Sequence, residues 1–183
     1  MKNLFFVLLF IFSIQIMSAQ SVIEGIHYKT GKPVRVTVQN GLISKIENVA
    51  GDKQSENEVF ISPGFFDNQI NGFAGISFGF GGGELTTEGI YKATKALWER
   101  GVTSYLPTLT TNSKEVFIKN FSALASVKDD EELLGSIPGY HLEGPYISPV
   151  DGFRGAHSKR FVRKPDWNEF MAVSYTHLTL PTN

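Results

Sequence analysis

The sequence predicts an α/β fold: a short all-β stretch, then strands and helices in alternation. Three observations carry this. Residues 34–39 alternate apolar and polar and run directly into Asn40-Gly41. Residues 87–100 and 113–125 hold apolar side chains at helical spacing. Around them lie the apolar runs 103–109 and 137–142, each bounded by glycine, proline or polar breakers.

The first twenty residues stand apart. Lys2 precedes a run, 4–17, that is apolar except for Ser13 and Gln15, and Ser18-Ala19-Gln20 closes it. This is the plan of a secretory signal peptide, so residues 1–20 are expected to direct export, with a periplasmic destination. The run is shorter than the roughly 20 residues a bilayer span requires, so no stable membrane anchor is expected. Were the segment instead a buried N-terminal strand, the protein would be cytoplasmic. With no cysteine there is neither a lipid attachment point, a disulfide framework nor a thiolate metal site. A net charge of -1 offers nothing to nucleic acid or to an acidic membrane.

Residues 21–61 read as a small, partial β domain of sandwich type. Val34, Val36 and Val38 alternate with Arg35, Thr37 and Gln39, and Asn40-Gly41 suits a two-residue hairpin turn into a second strand at 42–49. The polar stretch 50–58 reads as a loop. Val59-Phe60-Ile61 is expected to be a buried strand that opens the alternating region, broken by Ser62-Pro63-Gly64 and resumed as extended chain at 65–71. Residues 72–83 read as a glycine-rich loop.

The first helix, 87–100, should bury Ile90, Ala93, Thr94, Leu97 and Trp98, with Gly101 just past its end. The second should start from a Ser113 cap and turn Phe117, Ile118, Phe121, Leu124 and Ala125 inward. The order β-α-β-α-β predicts a parallel sheet. Three strands cannot close a barrel, which needs eight and roughly 250 residues, so the chain is either part of a barrel or a small open sheet. Residues 173–183, which include Ser174-Tyr175-Thr176-His177-Leu178, read as the translation of a sequencing adapter. They are set aside, His177 with them, and this favours the partial barrel.

Chemistry on parallel strands gathers at their C-terminal ends. Period-2 geometry puts Asp67, Gln69 and Asn71 on one face at the first such end. At the third, Glu143 emerges from an apolar strand before Gly144-Pro145, where a carboxylate is costly to bury unless it meets a cation. Arg154, His157, Lys159, Arg160, Arg163 and Lys164 then concentrate positive charge, which is either an anion site or a solvated basic loop. His141 reads as a structural strand residue and His27 as a partnerless surface one. The stretch from Gly79 to Glu84 lacks the residues of a phosphate loop and reads as a mobile loop over the site.

Several of these segments, taken in order, resemble the N-acetylglucosamine-6-phosphate deacetylases of the amidohydrolase superfamily. They are Pro63-Gly64-Phe65-Phe66-Asp67, Thr103-Ser104-Tyr105-Leu106-Pro107-Thr108, His141-Leu142-Glu143-Gly144-Pro145, Gly155-Ala156-His157, and Phe161-Val162-Arg163-Lys164-Pro165-Asp166. The resemblance implies that residues 62–172 are the first β/α units of a metal-dependent (β/α)8 TIM-barrel hydrolase. It implies one divalent metal, zinc by preference, with Glu143 as a ligand. Gln69 and Asn71 stand where related enzymes carry His-x-His, which resembles the one-metal branch; hydrogen bonding at the strand end is the alternative role for these amides.

By the same resemblance Ala156, through its backbone, and His157 lie at the substrate, with Gln69 and Asn71 beside them. The remaining histidine ligands and the catalytic aspartate are expected beyond this chain, which alone should be inactive and poorly folded. The implied reaction removes acetyl from N-acetylglucosamine 6-phosphate, giving glucosamine 6-phosphate and acetate, in a homo-oligomer. Two other readings are kept: an exported amidohydrolase acting on another N-acyl substrate, and a non-catalytic sugar-binding module.

Overall fold

A computed structural model describes residues 20–50, 59–79, 85–133 and 135–175, with side chains described through residue 173. The leader at 1–19, the 51–58 part of the expected loop, the 80–84 part of the glycine-rich stretch and residues 176–183 lie outside this set. The chain divides into two compact units, the first ending at Pro63 and the second beginning at Gly64.

The first unit is a four-stranded sheet of β1 (Gln20–His27), β2 (Pro33–Gln39), β3 (Leu42–Asn48) and β4 (Phe60–Ile61), in the order β3-β2-β1-β4. β1, β2 and β3 pair antiparallel, and β4 joins β1 in parallel. Asn40 (φ 53°) and Gly41 (φ 76°) both take positive φ, as a tight hairpin turn requires. Across β1 and β2 the directly opposed Glu24 and Arg35 form an ion pair at 2.6 Å. Ile26, Val34 and Val36 are buried.

Two expectations change here. The run 59–61 is not a buried opening strand: Val59 and Phe60 are 66% and 61% exposed, and β4 is an edge of this small sheet. A three-residue apolar run has too little length for periodicity to tell an edge from a core strand. Gly25 makes the pairing possible, since a Cβ there would stand 2.5 Å from the Val59 carbonyl oxygen. His27, expected to be partnerless, accepts at Nδ1 from the Lys29 and Thr30 amides at 3.3 Å and stacks on Tyr28. It closes the turn between β1 and β2.

The second unit has α/β architecture. Its strands β5 (Phe65–Ile70), β8 (Val102–Thr110) and β9 (His141–Glu143) form a parallel sheet in the order β5-β8-β9, and a small hairpin, β6 (Gly72–Phe73) with β7 (Ile76–Ser77), follows β5. The helices are α1 (Thr87–Trp98), α2 (Lys114–Ala125) and α3 (Trp167–Tyr175). These described strands form an open sheet, not a closed barrel. Thr86 caps α1 by accepting from the Gly89 amide, and Ser113 caps α2 by accepting from the Val116 amide.

β8 is the centre of the core: Tyr105 and Leu109 are fully buried beside Ile90, Leu97, Phe117, Phe121 and Leu124. The buried Thr94 hydroxyl donates to the Ile90 carbonyl at 2.8 Å and so accepts from the Tyr105 hydroxyl, 2.7 Å away. Burial pushes the Tyr105 phenol above its ordinary pKa.

Differences from the sequence reading have local causes. The 72–83 loop contains the β6–β7 hairpin, turned by Ala74 (φ 50°) and Gly75 (φ 81°). On α2, Ile118 is 37% exposed and Asn120 is buried instead, donating from Nδ2 to the Phe78 carbonyl at 2.8 Å. The expected strand at 137–142 shrinks to β9, because Pro138 has no amide to give a ladder and Gly139 weakens an extended segment. α3 was not foreseen. Asp166 accepts from the Glu169 amide at 3.0 Å at its start, and Val173, within the segment set aside above, is buried in the core.

Candidate active site

The C-terminal ends of β8 and β9 lie side by side, with Thr110 registered against Glu143. Beyond them the chain turns at Gly144, whose φ of 83° favours glycine. A Cβ there would stand 2.0 Å from the Thr111 hydroxyl, so glycine is also required by space. Glu143 thereby reaches the strand end half-buried, as does His157, which arrives from the following loop. His157 Nε2 lies 3.4 Å from Glu143 Oε1. On the other side of the ring, Nδ1 lies 2.8 Å from Thr111 Oγ1. The Thr111 hydroxyl is also 3.4 Å from the Glu143 carbonyl oxygen.

The loop that delivers His157 is tied down from within. The Arg154 guanidinium donates to the His157 carbonyl and pairs with Asp151. Further along, Arg163 forms a forked pair with Glu169 and donates to the Asn112 carbonyl at 2.9 Å and the Phe161 carbonyl at 2.6 Å. The hydrogen bond from Arg163 holds the Glu169 carboxyl below the usual carboxylate range, and the same bond raises the Arg163 guanidinium. Burial, then the Glu169 charge, raises the Tyr146 phenol, whose hydroxyl donates towards Glu169 Oε2 at 3.3 Å. The Arg163 amide closes the frame on the Pro145 carbonyl at 3.2 Å.

Of the expected site residues, Glu143 and His157 meet. Ala156 precedes His157 on exposed chain. Gln69 and Asn71 are exposed; β5 shifts register between Asp67 and Ile70, Asn71 follows its last residue, and the Asp67 carboxylate accepts from the Gln69 amide at 3.0 Å. Of the basic residues, Arg154 and Arg163 serve the loop itself, while Lys159, Arg160 and Lys164 are exposed. His141 Nδ1 sits 3.3 Å from the Thr108 hydroxyl, a strand contact. Gly79 packs on Leu109, and its carbonyl accepts from Thr110 at 3.4 Å.

Sequence reasoning missed Thr111 and the Arg163–Glu169 frame. The Asp166-x-x-Glu169 spacing, a capping-box signature, could have revealed α3 and with it the partner of Arg163. A cleft of about 380 Å³ lies against Lys114, Arg160, Phe161, Arg163 and Glu169 and does not include Glu143 or His157. Among the described residues, no three acidic or histidine side chains gather as a metal site would need. What Glu143 and His157 can do together is offer one anionic oxygen donor and one imidazole to the same small space.

No protein-family model matches the chain. It is 36% identical over 134 residues to N-acetylglucosamine-6-phosphate deacetylase of Danio rerio, covering 69% of this chain and 32% of that protein. The crystal structure of N-acetylglucosamine-6-phosphate deacetylase from Thermotoga maritima superposes with a TM-score of 0.64 at 26% identity, covering 82% of this chain and 39% of the other. A Mycobacterium smegmatis N-acetyl-D-glucosamine-6-phosphate deacetylase, an aspartate-to-alanine variant in complex with N-acetyl-D-glucosamine 6-phosphate, shares the fold at 24% identity. Its TM-score is 0.59, with 79% of this chain and 36% of that one covered. The chain thus spans about a third of the length of the curated relatives it matches.

Proposed function

We propose, from a chain that over its matched span belongs to the N-acetylglucosamine-6-phosphate deacetylase family, that the full-length protein deacetylates N-acetylglucosamine 6-phosphate. The observation that carries the reading is the half-buried Glu143 at the end of a parallel strand, with the His157 ring turned onto it at 3.4 Å. A carboxylate so placed fits one position of a divalent-metal site, zinc being the choice the family resemblance suggests. When bound, the ion supplies Lewis acidity and eases deprotonation of water.

Glu143 would be one of its holders, and the other protein ligands and the proton-transferring aspartate belong to parts of the protein outside this chain. The chain's own residues fix the loop after β9, with His157 available to a substrate oxygen and the Ala156 backbone beside it. Gln69 and Asn71 fit the substrate side of the same sheet end, where amides make neutral hydrogen bonds. The exposed Lys159, Arg160 and Lys164 suit an anionic sugar. In this reading β5, β8 and β9 begin a closed (β/α)8 barrel, and the protein works as a homo-oligomer.

The leader at 1–20 supports export to the periplasm, and it is also the one feature that favours an unphosphorylated N-acyl substrate. Acetate release from phosphorylated and free N-acetylglucosamine by the purified full-length protein separates the two. A clear preference for the phosphate is expected, with one metal ion per chain by elemental analysis. Equal rates would sink the phosphate assignment, and binding without acetate release would leave a sugar-binding module.

A further inference from the structure

We infer that Thr111 is a positioning residue for the site, acting through His157. The inference rests on the functional reading above. It stands on a juxtaposition that the reaction does not itself require. Thr111 follows the last residue of β8, Glu143 ends β9 and His157 lies in the loop beyond, and one hydroxyl touches both of the others. The Thr111 hydroxyl has a single proton to donate. At 2.8 Å the His157 Nδ1 is a full hydrogen-bond partner, whereas the Glu143 carbonyl at 3.4 Å is a weak one.

Whether the hydroxyl gives that proton to Nδ1, or accepts from Nδ1–H while donating to the Glu143 carbonyl, it holds Nδ1 in place and leaves Nε2 on the open side of the ring. That is the nitrogen facing the Glu143 carboxylate. Thr111 in this way fixes the plane of the His157 ring and the direction in which Nε2 points. Gly144 completes the arrangement, because any larger residue would push the Thr111 hydroxyl off its place.

Serine and alanine at position 111 differ by one hydroxyl, so this pair isolates the effect from packing. Two readouts are taken on the full-length protein: nitrogen-15 shifts of the His157 ring, and kcat and KM for N-acetylglucosamine 6-phosphate. Thr111→Ser should leave the His157 ring shifts as in the parent and remain within a few-fold of it. Thr111→Ala should move the His157 ring shifts and fall about tenfold to a hundredfold in kcat/KM, the usual cost of removing a partner that orients a site histidine. Matched melting temperatures would show that folding is not the cause.

An unchanged His157 spectrum in Thr111→Ala, or equal losses in both variants, would overturn the proposal. Should the parent itself release no acetate, the functional reading fails. The nitrogen spectra then still decide whether Thr111 orients His157.

Discussion

The two units of this chain use similar apolar alternation to very different ends. The first unit buries Ile26, Val34 and Val36 but leaves Val22, Ile23, Leu42, Ile43 and Ile46 about half or more exposed. Its apolar face encloses only an open hollow of about 390 Å³ lined by Val34, Val36, Ile43, Ile46 and Ile61. The second unit folds helices against its sheet, and Tyr105, Leu109, Ile90, Phe117 and Leu124 fall to 1% exposure or less. The difference lies in the connections. Hairpins leave a sheet without a second layer, whereas β-α-β crossovers bring a helix back across the strands each time. The crossovers also leave strand ends open for chemistry, and Glu143 and His157 sit at one of them.

The sharpest way to break this comparison is to remove one large side chain from each unit. Phe121→Ala opens a cavity in the packed core and should cost about 3–5 kcal/mol. Ile46→Ala removes a side chain already 59% exposed and should cost well under about 1 kcal/mol. Urea unfolding of the full-length protein checks both. Equal costs would mean that the hollow of the first unit is filled in the full-length protein.

Activity should divide the units as well. Glu143→Gln keeps shape and removes charge, and it should lower kcat/KM by more than the roughly hundredfold that loss of an outer partner reaches. Bound metal should fall with it, and the melting temperature should drop only by the stabilisation the bound ion supplied. Glu24→Gln breaks an ion pair of similar appearance in the first unit, but an exposed one, and should leave both readouts unchanged. Steady-state kinetics with metal analysis tests the pair.

A smaller effect is expected at the Arg163–Glu169 frame. Breaking a fork this close-set, by Arg163→Ala or Glu169→Gln, should cost about 1.5–3 kcal/mol. Glu169 has its pKa depressed in the fold, so its contribution is complete above the ordinary glutamate range and is lost as pH falls through the lower, folded value. The parent should therefore lose stability on acidification over that window. Glu169→Gln should flatten that part of the curve. Thermal melts at a series of acidic pH values measure it, and parallel curves for parent and variant would show that Glu169 carries none of the acid sensitivity.

How much of this was legible in the sequence follows from how local each signal is. The turn at Asn40-Gly41, the cap at Ser113 and the stripe on α1 depend on residues a few positions apart, and they could be read directly. Residues 59–61 could not, because their partner is β1, some 34 positions away in register from Phe60 to Ile26. Ile118 and Asn120 exchanged places because the Phe78 carbonyl, far off in sequence, needed a donor. The strand-end position of Glu143 was legible from the breaker that follows it. Its contact with His157 was not, since a loop path decides it. Thr111 carried no signal of its own until Gly144 and His157 were seen to close on it.

The smallest expected effect separates backbone strain from packing in the two hairpins. Gly41 in the first unit (φ 76°) and Gly75 in the second (φ 81°) hold left-handed backbone, and a Cβ at either would meet nothing within 4 Å. Alanine therefore costs only its conformational penalty, about 1 kcal/mol at each. Hydrogen exchange should nevertheless spread differently. Gly41→Ala should loosen the amides along β2 and β3, whose pairing depends on that turn and which share their unit with no helix among the described residues. Gly75→Ala should be felt only within β6 and β7, since Phe73 and Ile76 pack against a buried core. If both substitutions loosen equally long stretches, the sheet of the first unit is no less cooperative than that of the second, and burial is not what distinguishes the units.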